Sequence, residues 1–280
     1  MAVKVVTESL GDIPHEVAEE LGITVIPITV LFGAQSFRDG VDLTTEQFYY
    51  KLMQGKTFPT TVVPPLSVFV EVYDKLAEET DEILTIAISH KLSASYDAAL
   101  EAKKLMKKKC RVEVIDSLWA AMGHGLIVIA AARAAKAGAS LDEVVALTQK
   151  NIPRADIRMA FDTLEYLSRG GRIGKAQAFL GSALKVNPIL GLRDGEVAPF
   201  ARERSRAKAI DYLYDFASGF SHIEAMAVED ATTPDEADKL VERLGSLFPK
   251  KRIYRSKVSP AIGVHVGPRV LGVAVLGDKG

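Results

Sequence analysis

The chain has 280 residues, 48% of them apolar and 25% charged, which excludes disorder and is enough to bury about three quarters of the unfolded surface in two domains. Lys and Arg number 35 against 36 Asp and Glu, so at a net charge of −1 no basic field exists to hold nucleic acid, and any anion must be caught locally. The single cysteine, Cys110, excludes an intramolecular disulfide and a thiolate metal cluster and suits a reducing cytoplasm.

The opening MAVKVVTESLGDIP has no charged leader ahead of an apolar run, so the expected location is cytoplasmic. Short runs rich in Val and Ile, Val3 to Val6, Thr24 to Leu31, Ile83 to Ile88 and Val112 to Ile115, read as strands buried on both faces. Between them Pro14 to Leu21, Thr45 to Met53, Ser67 to Glu79, Ser93 to Lys108 and Ser117 to Ala135 have helical spacing. The most apolar segment, Leu118 to Ala135, is interrupted by His124 and Arg133 and reads as a buried helix rather than a membrane span. Beyond Asn151 the pattern changes. A Gly-rich segment contains Asp194-Gly195, a tight turn between two strands. Strands follow at Ile223 to Val228, Arg252 to Val258, Ala261 to Val266 and Val270 to Leu276, with two long helices, Ser205 to Ala217 and Thr233 to Leu247. The expected fold class is two-domain α/β: a mostly parallel βα domain over residues 1–155, then a mixed or antiparallel α/β domain over 156–280.

Ligands of parallel sheets bind beyond the carboxyl ends of the strands, and polar side chains gather there. Strand one runs into Thr7-Glu8-Ser9, the third into Ser89 to Ser95, and the fourth into Asp116-Ser117. Ser93 and Ser95, at a helix start, read either as a cradle for a carboxylate or phosphate or as plain helix caps. Thr60-Thr61, bracketed by Pro59 and Pro64, reads as a stiff hydroxyl-bearing loop or a surface turn, and Gly170 to Lys175 as a turn that aims Arg172 at an anion or as a helix end. His265 alternates with apolar neighbours in the expected strand Ala261 to Val266 and faces a cleft or the core. His15, His90, His124 and His222 lack partners at metal-ligand spacing, so no zinc site is expected. The crowd of Arg202, Arg204, Arg206 and Lys208 at a helix opening needs a compensating anion or a solvated face. GxSxG, GxxxxGK[ST], GxGxxG and HExxH are all absent.

Taken in order, these motifs resemble the DegV family of bacterial fatty-acid-binding proteins over nearly the whole chain. Thr7-Glu8-Ser9 with Asp12-Ile13-Pro14 is similar to the family's T-D-S-T-x-D-L-P, Thr60-Thr61 stands where the family has T-S-Q-P, and Ser89 to Tyr96 is similar to S-S-x-L-S-G-T-Y. Asp116-Ser117, Leu164 to Leu167 running into Gly170 to Gly174, and His265 to Pro268 complete the set. The resemblance implies a long-chain fatty acid in the interdomain cleft, its carboxylate at Thr61, Ser93 and His265. Arg172 and Arg204 would lie at the head-group region or at the contact with a partner.

On that reading the protein is no enzyme and needs no cofactor. It would present the acid to a separate fatty acid kinase catalytic subunit, which makes acyl phosphate for phospholipid synthesis. It would be a monomer with only transient contact with a membrane. Departures from the family pattern are Glu8, Val62, Val63, His90, Ala94, Ser95 and Arg269. The alternative is a small-molecule enzyme in the same cleft, either like dihydroxyacetone kinase or a hydrolase, with Ser93 as nucleophile and His265 as base. The acyl tail is expected against Ala176 to Leu190 and the strands after Ile223.

Overall fold

The computed structural model describes residues 2–55, 57–180 and 186–280. The first half runs β1 (Lys4–Glu8), α1 (His15–Leu21), β2 (Thr24–Ile26), β3 (Thr29–Phe32), β4 (Gln35–Arg38), α2 (Thr45–Met53), β5 (Thr60–Val62), α3 (Leu66–Leu76), β6 (Glu82–Ala87), α4 (Ser95–Leu105), β7 (Arg111–Asp116), α5 (Ala121–Lys136) and α6 (Leu141–Asn151). Four of these strands form a wholly parallel sheet in the order β2-β1-β6-β7. Two of the helices open on full capping boxes, Thr44 with Gln47 before α2 and Ser140 with Glu143 before α6.

The expected strand Thr24 to Leu31 is in fact two. Pro27, which has no N–H to give a ladder, interrupts it. β2 stays in the parallel sheet while β3 leaves to pair antiparallel with β4 and β5 in a separate three-stranded sheet. Thr60 and Thr61, expected in a loop, are therefore strand residues, and Thr61 pairs with Val30.

The second half runs β8 (Ala155–Ala160), α7 (Glu165–Arg169), β9 (Asn187–Arg193), β10 (Glu196–Glu203), α8 (Arg206–Ser218), β11 (Phe220–Asp230), α9 (Pro234–Leu244), β12 (Ile253–Lys257), α10 (Pro260–Val266) and β13 (Leu271–Lys279). Its six strands form one mixed sheet, β10-β9-β8-β13-β11-β12, in which only β11 and β12 run parallel. Asp194 and Gly195, both at positive φ, make the β9–β10 hairpin turn.

Ala261 to Val266, expected as a strand, is the helix α10. Pro260 occupies its first turn and the Ser259 hydroxyl accepts from the N–H of Ile262, so local capping outweighs the alternating pattern.

α5 lies between the two large sheets and packs on β1 on one side and on β8, β11 and β13 on the other. Most of its residues are buried, and its glycines permit the close approach: a side chain at Gly123 would press on Ile157, and one at Gly125 would strike the carbonyl of Gly11. The largest apolar cluster accordingly spans both halves, from Leu84 and Ile86 through Met122 and Ile129 to Ile157 and Ala274. Among the described residues no helix is long and apolar enough to cross a membrane.

Candidate ligand site

Beyond the carboxyl ends of the parallel strands, where β1, β3 and β6 face β8, β9 and α10, lies a cavity of about 110 Å³. Its walls are apolar and come from both halves: Leu10, Ile28 and Ile88 on one side, Ile157, Met159, Leu190 and Ile262 on the other. Only four of its lining residues have polar side chains, Thr61, Ser93, Arg172 and His265. Of the apolar stretch Ala176 to Leu190, Leu190 lines the cavity and Ala176 is buried, while residues 181–185 lie outside the described residues.

Thr61 projects from β5 and His265 from α10, and Thr61 Oγ1 stands 3.0 Å from His265 Nε2. Burial, with the Arg172 guanidinium adding to it, pushes the imidazole down to about 4, so it is neutral near pH 7. His265 Nδ1 is buried with no partner and faces the backbone of Gly170, where even a methyl group would overlap it. A buried N–H left unpaired costs more than a bare acceptor, so the proton belongs on Nε2, which donates to Thr61 Oγ1. The Thr61 hydroxyl hydrogen is then free for a ligand.

Ser93 precedes α4 in a turn closed by its N–H to the carbonyl of Ser89. Its hydroxyl lies 2.9 Å from that of Ser95 and accepts from the Ser95 N–H while lining the cavity; the cap of α4 itself is Ala94, which makes no side-chain capping bond. Ser95, read with Ser93 as part of a cradle, is fully buried and stands behind Ser93, out of the cavity.

Arg172 lines the mouth. Its guanidinium donates to the carbonyls of Leu92 (3.1 Å) and Gly170 (2.8 Å), tying the turn that bears Ser93 to the glycines that back His265. No carboxylate pairs with it among the described residues. Above the mouth Phe58 stacks on Tyr166 of α7, ring centres 5.7 Å apart, anchoring the chain that leads into β5.

Arg204 is not brought to the cavity. It is exposed between β10 and α8. The expected compensation at that helix opening is internal: Arg206 pairs with Asp162 and Glu236, Lys208 with Asp211, and Arg202 lies over the Phe179 ring. His90 pairs with Asp116, and His124 lies within hydrogen-bond reach of Thr7 (2.8 Å) and Ser117 (3.0 Å). No group of His, Cys, Asp or Glu among the described residues is placed to hold a metal ion.

Sequence reasoning missed Glu8 as more than a departure from a pattern. It is fully buried at the end of β1 and accepts from the Ile88 N–H at 2.8 Å; desolvation raises its carboxyl to about 7. A carboxyl in an otherwise apolar strand was the available signal.

Residues 2–278 match the family described as "Uncharacterised protein, DegV family". A DegV domain-containing protein of Caldanaerobacter subterraneus subsp. tengcongensis is 36% identical over 274 residues, 97% of each chain. Among solved structures, a DegV family protein from Thermus thermophilus that binds fatty acid superposes with a TM-score of 0.90 at 31% identity, covering 99% of this chain and 100% of the other. DegV of Bacillus subtilis, a fatty acid binding protein, gives 0.88 at 31% identity, with 99% of each chain covered.

Proposed function

Since the chain belongs to the DegV family, we propose that it binds a long-chain fatty acid and presents the carboxylate to a separate fatty acid kinase catalytic subunit for conversion to acyl phosphate. The observation that carries this reading is a single cavity, apolar on nearly every side, whose few polar groups are Thr61, Ser93, His265 and Arg172. The solved relatives from Thermus thermophilus and Bacillus subtilis bind fatty acid, which supports the same ligand class.

A carboxylate accepts hydrogen bonds from the Thr61 and Ser93 hydroxyls while the unpaired charge of Arg172 lies at the mouth. The alkyl chain buries along the apolar walls at about 0.8 kcal/mol per CH₂, the larger share of the affinity. In this reading residues 1–155 supply the hydroxyls and residues 156–280 the histidine, the arginine and much of the tail wall. The protein is a cytoplasmic monomer that uses no cofactor and touches a membrane only in passing, and its product enters phospholipid synthesis. Arg204, away from the cavity, belongs to the kinase contact. The enzyme alternative is weakened by the histidine: Nε2 is engaged by Thr61, and among the described residues no side chain orients Nδ1 as a nucleophile's base requires.

Denaturing mass spectrometry of the purified protein should release a long-chain fatty acid, and calorimetry should show the acid outbinding its methyl ester at neutral pH. Equal binding of acid and ester removes the carboxylate from Thr61, Ser93 and His265.

A further inference from the structure

Four charged side chains close a ring where several elements of the second half begin and end. Asp162, in the link from β8 to α7, and Glu236, in the first turn of α9, each face two arginines: Arg206 at the start of α8 and Arg269 between α10 and β13. Around the ring Arg206 meets Glu236 at 2.7 Å, Glu236 meets Arg269 at 3.6 Å, Arg269 meets Asp162 at 2.5 Å and Asp162 meets Arg206 at 3.4 Å. The signs alternate, so every neighbour attracts. An isolated surface pair contributes little, whereas several charges in one network hold a fixed geometry.

One edge of this ring reaches the ligand site. α7 packs on α10 so closely that Gly170 and Gly267 leave no room for a side chain against His265 and Tyr166. Something must hold the two helices in that approach. Asp162 precedes α7 and Arg269 follows α10, so their ion pair spans the contact and draws the helix ends together. The other fastening of the same turn, the Thr232 hydroxyl donating to the Pro268 carbonyl at 2.5 Å, leads to the link before α9 and not to α7. His265 stands in the last turn of α10, with its Nε2 3.0 Å from Thr61 Oγ1. α10 has only seven residues, so a shift at its end carries the imidazole with it.

Resting on the fatty-acid reading, we infer that Arg269 is a positioning residue: through Asp162 it clamps α10 against α7 and holds His265 where it directs the Thr61 hydroxyl at the carboxylate. Arg206, on the other side of Asp162, fastens the starts of α8 and α9 and donates to the Ala160 carbonyl at 3.3 Å. It contributes to stability but does not place His265.

The test compares dodecanoate with methyl dodecanoate by calorimetry at pH 7.5 and fixed ionic strength, because the ester keeps the tail and lacks the anion. The affinity ratio of acid to ester then reports the head-group contacts, which a general loss of stability does not move. Arg269→Met keeps the length of the side chain and removes its charge. It should lower the ratio about fivefold or more, part of the worth of a hydrogen bond to a charged group. Asp162→Asn should do the same, and the double variant should fall no further than either single one, since both remove one contact. Arg206→Met should lower the melting temperature and leave the ratio at its wild-type value. An unchanged ratio in Arg269→Met, additive losses in the double variant, or an equal loss in Arg206→Met overturns the inference and leaves the fatty-acid reading intact, provided the wild type prefers the acid. Wild-type protein that binds neither ligand, or both equally, overturns the carboxylate site itself and this inference with it.

Discussion

His265 shows how little freedom a single side chain in the site has. Its folded value near 4 lies below that of a free imidazole, so the neutral form is favoured and stability is complete above about pH 6.5. As pH falls from 6.5 toward the folded value the unfolded chain binds the extra proton, and up to about 3 kcal/mol is lost by about pH 4. Urea unfolding between pH 7 and 4 should therefore show the wild type losing more than His265→Gln, with the two curves diverging below pH 6.5. Parallel curves would mean that the imidazole is not held neutral. Ser93→Ala should weaken dodecanoate binding roughly 10- to 150-fold, the range for a lost bond to a charged group, with a modest fall in melting temperature because the same hydroxyl also accepts from the Ser95 N–H. Charge reversal at Arg172 acts differently. Arg172→Glu should slow acyl-phosphate formation by an added cognate kinase while dodecanoate still binds, a comparison of coupled rates with calorimetric affinity.

At the scale of elements, the site depends on how closely α7 and α10 approach. Gly170, just past α7, has no room for a methyl group beside His265, and Gly267, at the end of α10 with φ near 80°, lies against the Tyr166 ring. Gly170→Ala should push His265 off Thr61, weakening dodecanoate at least tenfold and costing about 1–3 kcal/mol of stability by crowding. An unchanged affinity would show that the imidazole can move without harm.

The same junction shows what was legible in advance. Ser93, Thr61, Arg172 and His265 were all readable as polar groups at the ends of elements, and all four do meet in one cavity. The secondary structure around them was less so. A run alternating Ala, Ile, Val, His and Val suggested a strand, while the deciding signal was the Ser259-Pro260 start of a helix. Pro27 was equally visible, but a single proline says that a strand must end without saying that its second part will pair elsewhere. Glu8 and Gly170 escaped notice because their neighbours, Ile88 and His265, come from other elements and only the fold brings them near.

Across the whole molecule the two halves are joined by a seam of carboxyls rather than by apolar contact alone. Asp12, at positive φ, accepts from the N–H of Ser259 and takes the Ser256 hydroxyl on its carbonyl. Asp39 accepts from the N–H of Ala261, and Glu229 from that of Met122. Burial raises Asp12 to about 6, Asp39 to about 7, and Glu229 well above its ordinary value. A raised folded value means that stability is complete below about pH 4 and lost as pH climbs toward these values. Glu229→Gln should therefore gain melting temperature relative to wild type as pH rises from 5 to 8 in a thermal-unfolding series. A constant difference would show that burial does not raise the Glu229 carboxyl above its unfolded value. The seam holds the backbone beside Ala121 and Ile262, which line the cavity, so whatever loosens it also reshapes the tail wall.

The clasp made by Arg172 has a consequence for the variation open to descendants of this sequence. Both of its acceptors are main-chain carbonyls, of Leu92 and Gly170. Carbonyls are present whatever side chain stands at a position, so the bonds place no demand on the identity of residue 92. A saturation library scored for acyl-phosphate formation by an added cognate kinase should tolerate many apolar residues at position 92 yet accept almost nothing in place of Arg172, including Lys, which lacks the planar guanidinium fork that spans the two carbonyls. Residue 92 would then drift while Arg172 stays fixed, with no correlated substitutions, leaving the contact between Arg172 and the Ser93 turn invisible to any method that infers proximity from paired changes.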